Sequence, residues 1–67
     1  MLLTAVLCRA EEGGYIALNP ETGTTTQGDT VDEAIANLKE ATSLYLEEFP
    51  GTFNAHPLIT TFDLAHA

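Results

Sequence analysis

The chain has 67 residues, 45% of them hydrophobic and 18% charged. That length supports one core, so a second domain is excluded, and the apolar share is too high for a disordered chain. Ten acidic residues against Arg9 and Lys39 leave a formal charge of −8, which repels phosphate backbones and anionic lipid. Direct binding to nucleic acid or to a membrane is therefore not expected. Residues 1–8, the longest charge-free stretch near the start, fall far short of the roughly 20 apolar residues that span a bilayer and lack the basic flank of a secretory signal. A soluble, cytoplasmic protein is expected. Cys8 is the single cysteine and cannot form an internal disulfide. A chain this small with neither disulfide nor metal is expected to gain stability as a homodimer or higher homo-oligomer.

Residues 2–9 read as a strand, with Leu2, Thr4, Val6 and Cys8 on one face and Leu3, Ala5, Leu7 and Arg9 on the other. Gly13 and Gly14 supply the positive φ angles of a tight hairpin after Glu11 and Glu12. Residues 15–18 form a second strand that Asn19 and Pro20 end, because proline has no N–H for a ladder. After a turn through Glu21, Thr22 and Gly23, the β-branched run from Thr24 predicts a third, antiparallel strand to Gln27.

Thr30-Val31-Asp32-Glu33 is a capping box, in which the Thr30 hydroxyl accepts from the Glu33 amide and the Glu33 carboxylate reaches back to Thr30. The helix that starts there carries Val31, Ala34, Ile35, Leu38, Ala41, Tyr45 and Phe49 as one stripe. Its outer face carries Glu33, Asn37, Glu40, Ser43, Glu47 and Glu48, and Pro50 with Gly51 ends it. Residues 52–56 read as a loop. Residues 58–64 alternate Leu58, Thr60, Phe62 and Leu64 with Ile59, Thr61 and Asp63, which predicts a fourth strand. The result is a single α+β domain over residues 1–67, in β-β-β-α-β order, with one helix packed on a mainly antiparallel sheet. One helix covers one face, so Leu3, Ala5, Leu7 and Ile59, or their alternates, are expected to stay wet until a second polypeptide covers them.

No catalytic constellation emerges. The carboxylates sit at turns and along the outer helical face, without the convergence that hydrolytic or two-metal sites require. His56 and His66 lie in loop and terminal sequence and read as exposed imidazoles, and Cys8 reads as a small core hydrophobe. No metal or cofactor is expected. Gly13-Gly14 and Gly23 read as turn residues rather than a phosphate cradle, and Gln27-Gly28-Asp29 as a tight strand-to-helix junction. Tyr15, Tyr45, Phe49, Phe53 and Phe62 read as core or interface residues, since no basic groove accompanies them.

One ordered string remains: Glu12-Gly13-Gly14-Tyr15-Ile16-Ala17, Asn19-Pro20-Glu21, Thr26-Gln27-Gly28-Asp29-Thr30, Glu33-Ala34, Asn37-Leu38 and Glu40-Ala41. Over residues 11–48 it resembles the HicB family of type II antitoxins, whose N-terminal domain is a partial ribonuclease H-like fold. The resemblance implies a non-catalytic module that binds and neutralises a small basic HicA-type RNA-cleaving toxin, a partner to which an acidic chain is complementary. It does not assign partner contacts residue by residue. Charge and position nominate Glu11, Glu12, Glu21, Asp29, Asp32 and Glu33. HicB antitoxins usually continue into a DNA-binding domain; no such segment follows here, and operator binding is not expected of this polypeptide. The alternative is a stand-alone homo-oligomeric HicB-like protein with a regulatory or ligand-binding role and no toxin partner.

Overall fold

The computed structural model describes residues 1–51 and 56–65. Three strands, β1 (Val6–Arg9), β2 (Tyr15–Asn19) and β3 (Thr24–Gly28), form an antiparallel meander of order β1-β2-β3, and helix α1 (Val31–Glu48) follows. The helix packs on β3 and, less extensively, on β2. The α+β architecture of one helix on one antiparallel sheet is therefore as expected.

The expected first strand, residues 2–9, is cut to half its length. Val6 pairs with Leu18, a register that sets Ala5 opposite Asn19 and Thr4 opposite Pro20. Proline offers no N–H, so the ladder stops there. The Thr4 amide turns instead to the Glu21 carboxylate, at 3.1 Å from Oε1 and 3.2 Å from Oε2. At the other end of β1, the Ala10 amide donates to Gly14 O at 3.1 Å and the Gly13 amide to Ala10 O at 3.2 Å, with φ of 105° at Gly13 and 78° at Gly14.

Helix α1 begins as its sequence predicts. Thr30 Oγ1 accepts from the Glu33 amide at 3.1 Å, but the Glu33 carboxylate accepts from the Asp29 amide at 2.9 Å, one residue earlier than a capping box would have it. At the far end the Phe49 amide donates to Tyr45 O at 2.8 Å and the two rings lie 4.9 Å apart. No basic residue occupies the last turn, so Glu47 and Glu48 face the negative end of the dipole unopposed.

What holds the helix to the sheet is the absence of a side chain at Gly28. A Cβ there would lie 2.5 Å from the Ala34 nitrogen and 2.9 Å from its Cα. Two cross-links fix the seat: Thr26 Oγ1 donates to Ala34 O at 3.1 Å, and Asn37 Nδ2 donates to Gln27 O at 2.8 Å. Ala17 and Ala34, both 0% exposed, and Leu38, 4% exposed, make the buried hydrophobic core, with Leu7 and Tyr15 packed against it. The expected helical stripe is buried only at Ala34 and Leu38, joined by Thr42; Val31, Ile35 and Phe49 remain exposed. A helix seated this close to β3 buries the residues that face it and leaves the flanks of the stripe wet.

Two further expectations are corrected. Residues 58–64 form no strand: their side chains are exposed, and among the described residues no backbone hydrogen bond joins them to the sheet. Among the described residues there is thus no fourth strand. Cys8 is exposed rather than in the core, because its partner in the ladder, Ile16, points away from the helix. His56 is exposed, as expected, and its Nδ1 lies 2.9 Å from Glu21 Oε2. Phe53, His66 and residues 52–55 of the expected loop lie outside the described residues.

At the β2–β3 turn, buried Asn19 organises a polar knot. Its Nδ2 donates to Thr4 O at 2.8 Å and to Glu21 Oε1 at 2.7 Å, and its Oδ1 accepts from the Thr22 amide and hydroxyl at 2.9 and 2.6 Å. The Glu21 side chain has no exposed surface. Burial raises its pKa, but the His56 ring and the Thr4 hydroxyl and amide outweigh burial and carry it from 4.5 down to about 2.

Two predictions follow from this geometry. Gly28→Ala should lower unfolding stability by about 1–3 kcal/mol in urea titration, since the contact is with backbone that cannot rotate away; an unchanged midpoint would contradict the close seat. The second concerns acid. Because the folded pKa of Glu21 is depressed, its contribution is complete above about 4.5 and is lost as pH falls towards about 2. Glu21→Gln should therefore flatten the acid limb of stability between those values, as read by denaturant midpoints at stepped pH; an identical slope would refute the carboxylate's role.

Candidate functional site

The hairpin after β1 and the junction before α1 meet at one end of the sheet. Gly14 makes this possible: a Cβ there would stand 2.6 Å from Gly28 O and 3.5 Å from Asp29 Cα, so the two turns pass backbone against backbone. Glu11 and Glu12 arrive from the hairpin, and Asp29, Asp32 and Glu33 from the junction and the first helical turn; all five are exposed. Asp32 and Glu33 gain from the positive end of the helix dipole, and Glu33 is further held by its bond to the Asp29 amide. Glu11, Glu12 and Asp32 carry no such constraint among the described residues.

The sixth nominated residue belongs elsewhere. Glu21 sits at the opposite end of β2, in the Asn19 knot, with its carboxylate fully engaged by Thr4, Asn19 and His56. It ties the turn to the segment before β1 and presents no carboxylate surface to a partner. The acidic end therefore holds five of the six candidates, with Arg9 close by, its guanidinium 5.9 Å from the centroid of the Tyr15 ring.

Chemically, this end can attract and hold cations or basic side chains by charge. Among the described residues no group of three or more His, Cys, Asp or Glu is arranged to hold a metal ion, and no helix is long and apolar enough to cross a membrane.

A second surface is apolar. Ladder partners share a face, so Val6, Cys8, Ile16, Leu18, Thr25 and Gln27 line the side of the sheet away from the helix. On the helix side, the cover over β3 leaves a groove of about 400 Å³ between residues 1–5 and α1, lined by Leu3, Ala5, Ile35, Leu38, Thr42 and Leu46 among others. Sequence reasoning foresaw an uncovered face but neither the groove nor the Asn19 knot. The one available signal for the knot was Asn19-Pro20-Glu21, a side chain able to cap its own turn just where the ladder must stop.

No family model matches the chain, and no solved structure matches it. Curated proteins do. Over 47 residues it is 51% identical to UPF0150 protein ssl0738 of Synechocystis sp. (strain ATCC 27184 / PCC 6803 / Kazusa), an alignment covering 69% of this chain and 65% of that protein. Over 45 residues it is 47% identical to UPF0150 protein ssr1765 of the same strain, covering 66% of this chain and 57% of the relative. The chain thus spans less than two thirds of the length of either relative, and over about two thirds of its own length it is a homologue of UPF0150 proteins.

Proposed function

We propose that this domain is a HicB-like antitoxin module: a non-catalytic, cytoplasmic protein that binds a small basic HicA-type RNA-cleaving toxin and neutralises it. The observation that carries the reading is the gathering of Glu11, Glu12, Asp29, Asp32 and Glu33 at one end of a chain whose formal charge is −8. A ribonuclease that grips a phosphate backbone must present a positive face, and an exposed acidic end competes for that face. Opposite potentials also speed encounter, which suits a protein that must intercept its partner before the partner meets RNA. Neutralisation on this reading is occlusion: the antitoxin covers the cationic surface and needs no reacting group of its own.

The test is co-expression with a lysine-rich ribonuclease encoded beside this chain, scored by growth rescue and by complex formation on size exclusion. The triple variant Glu11→Lys, Glu12→Lys, Asp32→Lys reverses the three acids without a structural bond and leaves the Asp29–Glu33 cap in place. Calorimetric titration should show its affinity reduced by roughly tenfold or more, with a weaker salt dependence. Unchanged affinity, or a chain that cleaves RNA by itself, would contradict the proposal.

A further inference from the structure

Two unsatisfied features of the fold match each other. The first is the groove between residues 1–5 and α1, open because α1 lies over β3 and β2. Thr42 lines it and is only 4% exposed, yet among the described residues its hydroxyl has no hydrogen-bond partner. The second is the arm of residues 58–64, whose apolar side chains stand in water: Leu58 is 94% exposed and Phe62 82%. The arm lies off the body of its own chain. The molecule measures 42 × 28 × 16 Å with a radius of gyration of 13.5 Å, where a compact chain of this length would have about 11 Å.

We propose that residues 58–64 of a second copy enter this groove as a fourth strand along the free edge of β1 and of residues 1–5 that lead into it, and that the exchange is mutual, giving a closed two-fold dimer. This inference does not depend on the antitoxin reading. Several observations select a second copy over a foreign peptide. The arm alternates, so a strand laid along β1 would turn Leu58, Thr60, Phe62 and Leu64 together onto the apolar groove and leave Ile59, Thr61 and Asp63 on the other face. Thr60, on the inward set, brings a hydroxyl to the unpartnered Thr42. Seven extended residues reach about 23 Å, enough to run the length of β1 and cover the groove. A reciprocal contact also removes both liabilities at once, the wet arm and the wet groove, and leaves no unfilled site to propagate a chain of molecules. It supplies as well what a buried hydrophobic core of Ala17, Ala34 and Leu38 lacks, large apolar side chains packed against the helix.

Light scattering on the full chain should give twice 7.2 kDa, and Phe62→Asp should return it to one. Thr61→Asp, on the outward face of the arm, should leave the dimer intact. If Phe62→Asp unfolds the chain, as judged by loss of helical circular dichroism, an isotope-filtered NOE experiment on mixed labelled and unlabelled wild-type chains decides. Contacts between the Phe62 ring of one molecule and Leu38 or Thr42 of the other are expected. A monomeric wild type, a dimer indifferent to Phe62→Asp, or Phe62 contacts confined to one molecule would each overturn the exchange.

Discussion

Helix α1 can lie where it does because Gly28 has no side chain. With Ala34 on top of it, backbone approaches backbone, and a glycine and an alanine do what larger residues do in most cores. The consequence is geometric. A helix drawn this close to β3 lies over β3 and β2, so the side of the inward face towards β1 has less cover. The same close approach, repeated where Gly14 passes Gly28, brings the hairpin and the helix start together and so assembles the acidic end. Charge and openness are thus two results of one packing decision, taken at two glycines.

The polar knot at the other end of the sheet balances this. A three-residue apolar core gives little stability, and the chain supplements it with a buried network in which Asn19, Glu21, Thr22 and Thr4 satisfy one another. Partly satisfied, such a network would cost more than it contributed; here each Asn19 side-chain atom has a partner. Glu21 is the exception among ten acids. Nine remain available to the outside field, while the tenth holds the chain's entry into β1 against the β2–β3 turn.

The meander and the helix were legible because each has a local cause that can be read from a few residues: paired glycines for the hairpin, Pro20 for the end of β2, Thr30 for the cap. That residues 58–64 would form no strand was not legible. Alternation in residues 58–64 reports what the segment can pair as, not whether an edge pairs with it. The burial of Glu21 was equally hidden, since its fate depends on Thr4 and His56, 17 and 35 residues away in the chain. Of the nominated acidic surface, the parts set by neighbouring turns were readable, and the one residue set by long-range hydrogen bonds was not. The helical stripe was over-read for a related reason: period gives a direction, whereas the depth of burial follows from where Gly28 lets the helix sit.

If a half-covered sheet is the governing feature, folding and association are linked, and stability must follow mass action. The most direct measurement is the thermal midpoint of the wild-type chain by circular dichroism over a wide range of protein concentration. The half-covered sheet requires Tm to rise steadily with concentration. A Tm that stays constant from dilute to concentrated solution would show that the lone chain is complete as it stands.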